Sequence, residues 1–209
     1  MVENVNLETW ERAGHYNFFK RMDYPHHSIC VQLDITQFMK TIKERELPFY
    51  LSMIFITSSA INTVKEFRYR IREDKVVLHD KVHPSFTDIE DEHQLFKMVT
   101  VPLSNTPEAF VASARVLSKN QKDSFSATAR RDDLIYFSCN PWVTFTSITH
   151  TVSLNPSDSI PRIAWGKFFE QGGKILLPFS VQAHHSFVDG VHMGQYINAV
   201  QELLIRTDF

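Results

Sequence analysis

The chain has 209 residues and a formal net charge of −2 at pH 7, from 22 Lys and Arg against 24 Asp and Glu. This balance excludes a protein that binds nucleic acid or a membrane surface through a basic field, and 43% hydrophobic residues exclude a disordered chain. The length suits one large domain or two small ones. Since no repeat or linker-like tract divides it, we expect a single domain over residues 1–209.

The cysteines and the apolar segments indicate the compartment. Cys30 and Cys139 lie in neither a C-x-x-C nor a zinc-ligand spacing, which is typical of free thiols in a reducing compartment. The N-terminal residues show no apolar signal segment, and the most apolar stretch, 49–64, is too short and too polar for a membrane span. We therefore expect a soluble, cytoplasmic protein.

The first part of the chain is predicted to be mainly helical. Aromatic residues at helical spacing over 5–20 indicate a first helix, and alternation over 28–35 indicates a strand. Thr36 then opens a helix, and Pro48 starts a second, more buried helix that is predicted to run to about Phe67.

The rest of the chain is predicted to be rich in strands. A hairpin is expected over 69–78, a helix from Thr106 to about Lys119, and a closing helix after Asp189. The other extended candidates are 85–89, 94–101, 134–138, 142–152, 162–169 and 174–183. This order predicts an α+β fold, a two-layer sandwich of a large mixed β-sheet with helices packed on one face.

The densest group of chemistry-bearing residues is the segment 182–192, QAHHSFVDGVH, between a predicted strand and the last helix. A neutral imidazole at His185 could take a proton from a hydroxyl, which is worth about 10²–10⁴ in rate. Asp189 could fix the orientation of that ring, directly or through a nearby cation. The alternative is structural, with Asp189 as a helix cap and His184 and His185 as hydrogen-bonded core residues.

A metal site is a second alternative for the same segment. Its candidate ligands are His184, His185, Asp189 and His192. The spacing argues against it, because His185 is predicted to precede the helix and adjacent side chains of a strand point to opposite faces. We expect no metal. A second doublet, His26 and His27, follows Pro25 and is expected to face solvent.

Three further positions carry weaker signals. Ser138 at a strand end could donate to a developing oxyanion, a contact worth about 10²–10³ in rate. Its alternative is a turn at 140–141, with Trp142 anchoring the sheet. Arg12 and Lys167, taken alone, are typical of ordinary surface residues.

Taken in chain order, four segments resemble the chloramphenicol acetyltransferase family of the trimeric type. They are WERAGHYNFF at 10–19, QLDIT at 32–36 with PFY at 48–50, NPWVTF at 140–145, and the segment 182–192. The last is similar to the signature Q-V-H-H-A-V-C-D-G-F-H and is the most specific. The resemblance implies a CoA-dependent acyltransferase fold and a homotrimer with active sites at subunit interfaces.

The resemblance also implies catalytic roles. His185 would be the general base that deprotonates the acceptor hydroxyl for direct attack on the thioester of acetyl-CoA. Asp189 would pair with Arg12 and organise the site, and the hydroxyl of Ser138 would stabilise the tetrahedral oxyanion. The resemblance implies no acyl-enzyme, which agrees with the lack of a nucleophile motif.

The binding residues follow in the same way. Lys167 would lie near the CoA channel, followed by Phe168 where the family usually has tyrosine. Phe18 and Phe19 would form an aromatic wall of the acceptor site.

Val188 and Ser186 replace the cysteine and the alanine of the signature, and three further departures bear on the oxyanion and the acceptor. Ala164 stands where the family has a threonine that positions a water near the oxyanion. His150 and Arg162 fall in the acceptor region where the family has apolar side chains, although the aromatic and chlorinated groups of chloramphenicol favour an apolar pocket. The closest alternative is therefore the same chemistry on a different hydroxyl or thiol acceptor.

These inferences together predict an acetyl-CoA-dependent O-acetyltransferase that acetylates a hydroxyl of chloramphenicol and so confers antibiotic resistance. Acetyl-CoA is expected as a co-substrate, with no permanently bound cofactor. An alternative of another class is a non-catalytic trimer that binds small molecules, for which Ala164 is the support.

Overall fold

The computed structural model describes residues 1–89, 95–125, 131–153 and 157–209. The helices in these ranges are α1 (Ala13–Phe19), α2 (Thr36–Glu44), α3 (Phe49–Asn62), α4 (Pro107–Asn120) and α5 (Gly190–Ile205), with a 3-10 turn at Lys65–Arg68. The strands are β1 (Val2–Asn4), β2 (His26–Asp34), β3 (Tyr69–Arg72), β4 (Lys75–His79), β5 (His83–Ile89), β6 (Phe96–Thr100), β7 (Leu134–Asn140), β8 (Arg162–Gly166), β9 (Phe169–Gln171) and β10 (Lys174–His184).

Within the described ranges, a seven-stranded sheet organises the fold. Its order is β2-β10-β8-β7-β5-β6, with β9 also paired to β10, and a smaller sheet has the order β1-β4-β3. In the large sheet β7 runs parallel to β5 and β8, whereas the other pairs are antiparallel. The predicted α+β fold with a large mixed sheet and helices packed on one face is confirmed.

The two faces of this sheet differ in chemistry. On the helical face, Phe179 of β10 packs on Tyr196 of α5, and its partner in register, Trp165 of β8, packs on Tyr50 of α3. On the opposite face, β10 presents buried Ser180 and buried polar neighbours. Because both faces of β10 are covered, its sequence is a nearly continuous buried run rather than a strict alternation.

The predicted strand over 142–152 is wrong. Pro141 follows β7 and has no N–H for a ladder, and no strand among the described residues pairs with this segment. Trp142 does not anchor the sheet, since the residue is 67% exposed. The segment is held instead by the backbone N–H of Lys167, which donates to the carbonyl of Val143 at 2.8 Å.

Two helix boundaries also differ from prediction. The first helix, predicted over 5–20, is confined to α1, because the backbone N–H of Val5 donates to the carbonyl of Val76 at 2.9 Å and so extends the pairing of β1 with β4, and turns lie between Val5 and α1. The buried helix α3 ends at Asn62, and residues 65–68 form the 3-10 turn. The candidate strand 94–101 is β6, with Gln94 outside the described residues. Among the helices described here, none is long and apolar enough to cross a membrane.

Candidate active site

The end of β10 and the start of α5 meet at the predicted motif. The backbone N–H of His185 donates to the carbonyl of Pro25 at 2.8 Å, which continues the pairing with β2 by one residue. Asp189 is the N-cap residue of α5, and its backbone N–H donates to Nδ1 of His192 at 2.9 Å. Asp189 therefore caps the helix as the structural alternative predicted, and this position does not prevent it from also orienting the ring of His185.

Arg12 and Asp189 form a fork across 177 positions of the chain. The two terminal nitrogens of the guanidinium donate to the two carboxylate oxygens at 2.8 and 3.1 Å. The side chains are 12% and 28% exposed, so the pair is largely shielded from water. Donation from Arg12 lowers the pKa of Asp189 below its ordinary value. The carboxylate is thus held in its charged form and in one orientation.

The imidazole of His185 lies in a slot between two other rings. The ring of Phe19 stacks on it at 4.1 Å between centroids and 5° between planes, and the ring of His27 stacks at 4.1 Å and 19°. Nδ1 of His185 lies 3.4 Å from Oδ1 of Asp189 and has no hydrogen-bond partner within the described residues. Since both faces of the ring are covered, only an edge of the 32%-exposed side chain remains for a substrate.

The structure overturns the expectation that the doublet 26–27 faces solvent. His26 is 8% exposed, and its ring lies edge-on to His184 at 5.2 Å. His27 points to the other face, where Nε2 is 2.9 Å from the carbonyl of Val188. The sequence analysis did not identify His27 as a site residue. The alternation of Ile29, Val31 and Leu33, continued back by two residues, would have placed His27 on the same face of the strand.

His184 is a core residue. The residue is 2% exposed, and its Nδ1 accepts from the backbone N–H of Ser186 at 3.2 Å. Burial lowers the pKa of His184 to about 3, so the ring is neutral. In the described part of the chain, no three His, Cys, Asp or Glu side chains are grouped so that they could hold a metal ion.

A cavity of about 460 Å³ lies on the other face of the sheet, and it contains three of the predicted residues. Ser138, His150 and Arg162 line it together with apolar side chains that include Phe96 and Met98. Burial, followed by the charge of Arg162, lowers the pKa of His150. The ring of His150 is therefore a neutral hydrogen-bonding group in a mixed polar and apolar pocket.

The guanidinium of Arg162 makes its hydrogen bonds and its ion pair within the protein. Its guanidinium donates to the carbonyls of Thr151 and Ile160 at 2.9 and 3.0 Å and to the carboxylate of Asp158 at 2.6 Å. The side chains of Arg162 and Asp158 are 10% and 11% exposed. These contacts hold Thr151, Asp158 and Ile160 against Arg162 and leave no free charge for a substrate.

A second cavity, of about 420 Å³, contains the predicted CoA residues Lys167 and Phe168. Phe49 and Tyr50 also line it, and the rings of Phe49 and Phe168 are 5.8 Å apart. Burial raises the pKa of Cys139 in its wall to about 12, so that thiol is not a nucleophile. An apolar cleft with an exposed lysine at its rim suits a ligand with a flat ring and phosphate groups.

Ser138 and His185 do not meet within one chain. Ser138 pairs with Ala164, and Ala164 pairs with Ser180, so Ser138 is level with a position five residues before His185 on β10. With about 4.8 Å between strands and about 3.3 Å per residue, the two lie roughly 19 Å apart. One chain therefore holds two separate parts of the predicted site.

Comparisons with known proteins agree with this architecture. A family profile described as "CAT: Chloramphenicol acetyltransferase" matches residues 1–201. A chloramphenicol acetyltransferase of Klebsiella sp is 30% identical over 200 residues, which cover 95% of this chain and 91% of the relative.

Solved structures give the same result. One named chloramphenicol acetyltransferase superposes with a TM-score of 0.89 and 28% identity, over 98% of this chain and 100% of that chain. A probable dihydrolipoamide acetyltransferase of Listeria monocytogenes, at 13% identity and a TM-score of 0.68 over 98% of this chain and 94% of that chain, shares the fold alone. The chain therefore belongs to the chloramphenicol acetyltransferase family.

Proposed function

We propose that this protein transfers the acetyl group of acetyl-CoA to a hydroxyl of chloramphenicol and thereby confers resistance to the antibiotic, in the cytoplasm. The observation that carries the proposal is the imidazole of His185, which is fixed between two rings beside the Arg12–Asp189 fork and open at one edge. The names of the relatives supply the acceptor.

The chemistry needs one base and one oxyanion donor. The acceptor hydroxyl gives its proton to His185 while its oxygen attacks the thioester carbon, forming a C–O bond and a tetrahedral oxyanion. The hydroxyl of Ser138 donates to that oxyanion. Collapse breaks the C–S bond, and the leaving thiolate takes the proton back from the imidazolium, which returns His185 to its neutral form.

The assembly is part of the same proposal. A homotrimer in which Ser138 of one subunit faces His185 of its neighbour removes the separation of roughly 19 Å within one chain. Two features support such a contact. Trp142 and Phe18 are 67% and 62% exposed, and among the described strands β2 lies at an edge of the large sheet.

The two cavities then receive the two substrates. The acceptor would occupy the cavity with Ser138 and His150, and acetyl-CoA the cavity with Lys167 and Phe168. Both lie beside β7, which contributes Ser138 to the first and Cys139 to the second.

The first experiment measures CoA release from acetyl-CoA with chloramphenicol, through the free thiol. We expect turnover in the wild type and a loss of about 10²–10⁴ in His185→Ala, with unchanged thermal unfolding. Normal turnover in His185→Ala would remove the general base from the proposal. Absence of wild-type turnover with any acceptor would favour a binding protein that keeps the fold.

The assembly has its own experiment. Subunits with His185→Ala and subunits with Ser138→Ala are co-expressed and the mixed oligomers are purified through two tags. If each site joins two chains, a mixed trimer contains an interface with both native residues and regains activity. If each site lies within one chain, the mixture stays as inactive as either variant alone. Light scattering checks the trimer mass.

A different acceptor is the second candidate, and His150 favours it. Its Nε2 lies 3.5 Å from Oγ of Ser180, a long contact that leaves the ring available to a polar group of the acceptor. His150→Leu separates the two candidates. We expect it to improve KM for chloramphenicol if the acceptor is apolar, and to weaken turnover of a more polar alcohol or thiol if that is the substrate.

A further inference from the structure

His27 forms one wall of the slot that holds His185, and neither the motif nor the proposed chemistry gives it a role. Its ring is as close to His185 as that of Phe19, at 4.1 Å between centroids. Rotation of His185 about its Cβ–Cγ bond would drive the ring into Phe19 on one side or His27 on the other. Phe19 alone covers only one of these faces.

Strand register explains why His27 reaches this position. In the antiparallel pair, His27 is opposite Ala183 and the backbone of His185 bonds to Pro25. His27 and His185 are therefore diagonal neighbours on one face of the sheet, a spacing that two ring side chains can bridge. His26 points to the other face, against His184.

His27 is anchored at its far edge. Because the carbonyl of Val188 can only accept, Nε2 of His27 carries the proton in their 2.9 Å hydrogen bond. Burial lowers the pKa of His27, and the positive charge that His185 can acquire lowers it further. The ring is thus neutral and tied to the residue before Asp189.

We propose that His27 is a positioning residue that clamps the imidazole of His185 against Phe19 in the orientation needed for proton transfer. This inference rests on the proposed function, in which His185 is the base. Displacement of a reacting group by about 1 Å can cost about 10²-fold in rate, so a clamp on one ring acts on kcat rather than on substrate binding.

Three variants separate the ring from its hydrogen bond. His27→Ala removes both, His27→Phe keeps a ring without the donor, and His27→Gln keeps a donor without the ring. We expect His27→Ala and His27→Gln to lower kcat about tenfold with both KM values unchanged, and His27→Phe to restore kcat to within about threefold. His26→Phe, on the same strand but the opposite face, is the matched control and should retain wild-type kcat.

The stack itself is measured without any substrate. NMR of protein with 13C-labelled histidine, assigned with His185→Gln, reports the ring protons of His185, which shift upfield between two aromatic faces. We expect that shift to shrink in His27→Ala and to persist in His27→Phe.

The outcomes are distinct. Wild-type kcat in His27→Ala, or full activity in His27→Gln, would contradict the proposed clamp. An upfield shift of the His185 ring protons that is unchanged in His27→Ala would also contradict it. If no acceptor is acetylated, the proposed function fails, and with it the clamp as a catalytic device, while the NMR result still decides whether the stack exists.

Discussion

Removing the guanidinium at position 12 tests the link between the first helix and the catalytic turn. In Arg12→Ala, the carboxylate of Asp189 loses both donors of the fork, at 2.8 and 3.1 Å. Arg12 immediately precedes α1, which ends at Phe19, and Asp189 precedes α5. The substitution therefore loosens the face of His185 that Phe19 covers and the carboxylate that lies beside its Nδ1.

The magnitude follows from the exposure of the pair. An exposed ion pair contributes about 0.2–1 kcal/mol, whereas removal of one partner from a buried pair costs about 3–5 kcal/mol. With side chains 12% and 28% exposed, the fork lies between these limits, and we expect a coupling of about 2 kcal/mol. For a chain of this length, a loss of about 2 kcal/mol of unfolding free energy in Arg12→Ala corresponds to a fall in Tm of about 4–8 °C.

A double-mutant cycle measures the coupling by denaturant unfolding at fixed protein concentration. The cycle compares the unfolding free energies of wild type, Arg12→Ala, Asp189→Ala and the double variant. The cost of losing the N-cap at Asp189 is present in both variants that lack Asp189, so it cancels in the coupling energy. Arg206→Ala is the matched control, because Arg206 and Asp208 form a similar fork, at 2.9 and 3.1 Å, with side chains 55% and 72% exposed. If Arg12→Ala unfolds like Arg206→Ala and keeps its kcat, the fork neither stabilises the fold nor organises the site.

The same variants have a defined pH dependence. Asp189 has a pKa below its ordinary 3.8 in the folded state because Arg12 donates to it. A carboxyl group of this kind contributes its stability above the unfolded pKa and loses it as pH falls through the folded pKa. The difference in unfolding free energy between wild type and Arg12→Ala should be full above about pH 5 and narrow below it. A difference that grows on acidification would contradict this sign.

Three further substitutions test the remaining residues. Ser138→Ala should lower kcat about 10²–10³-fold with little change in either KM, as measured by thiol release. Lys167→Ala should raise KM for acetyl-CoA but not for the acceptor, whereas Lys75→Ala on β4 should change neither. Arg162→Met should lower the unfolding free energy by about 3–5 kcal/mol, because Asp158 would stay buried without its partner. If Arg162→Met unfolds like wild type and instead raises KM for the acceptor, Arg162 binds substrate.

Elements with strong local signals were predictable from the sequence. Thr106 caps α4 by accepting from the backbone N–H of Ala109 at 3.3 Å, and Pro107 occupies its first turn. The helices that begin at Thr36 and after Asp189 start where predicted. In each case the residues that start the helix, a cap or an apolar repeat, lie within a few positions of one another, so the helix can be predicted without knowing any contact distant in sequence.

Extended segments were less predictable because a strand needs a partner. Residues 142–145 have the composition of a strand but pair with none of the described strands of the sheet. Val143 and Phe145 pack closely against Gly166, which has no Cβ, and the backbone N–H of Lys167 donates to the carbonyl of Val143. Conversely, Val2 to Asn4 gave no strand signal and pairs with β4 because the register brings it there.

The site shows the same division between composition and register. The motif around His185 could be found from residue types alone, yet the slot depends on which residue of β2 lies diagonal to it. A shift of that strand by one residue that put Ser28 in the place of His27 would leave no ring beside His185 and remove the clamp. Register likewise puts Ser138 roughly 19 Å from His185, a gap that no rotamer can close. Both groups can therefore act on one acetyl group only if a second copy closes that gap, and the mixed oligomers of the two inactive variants would then regain activity.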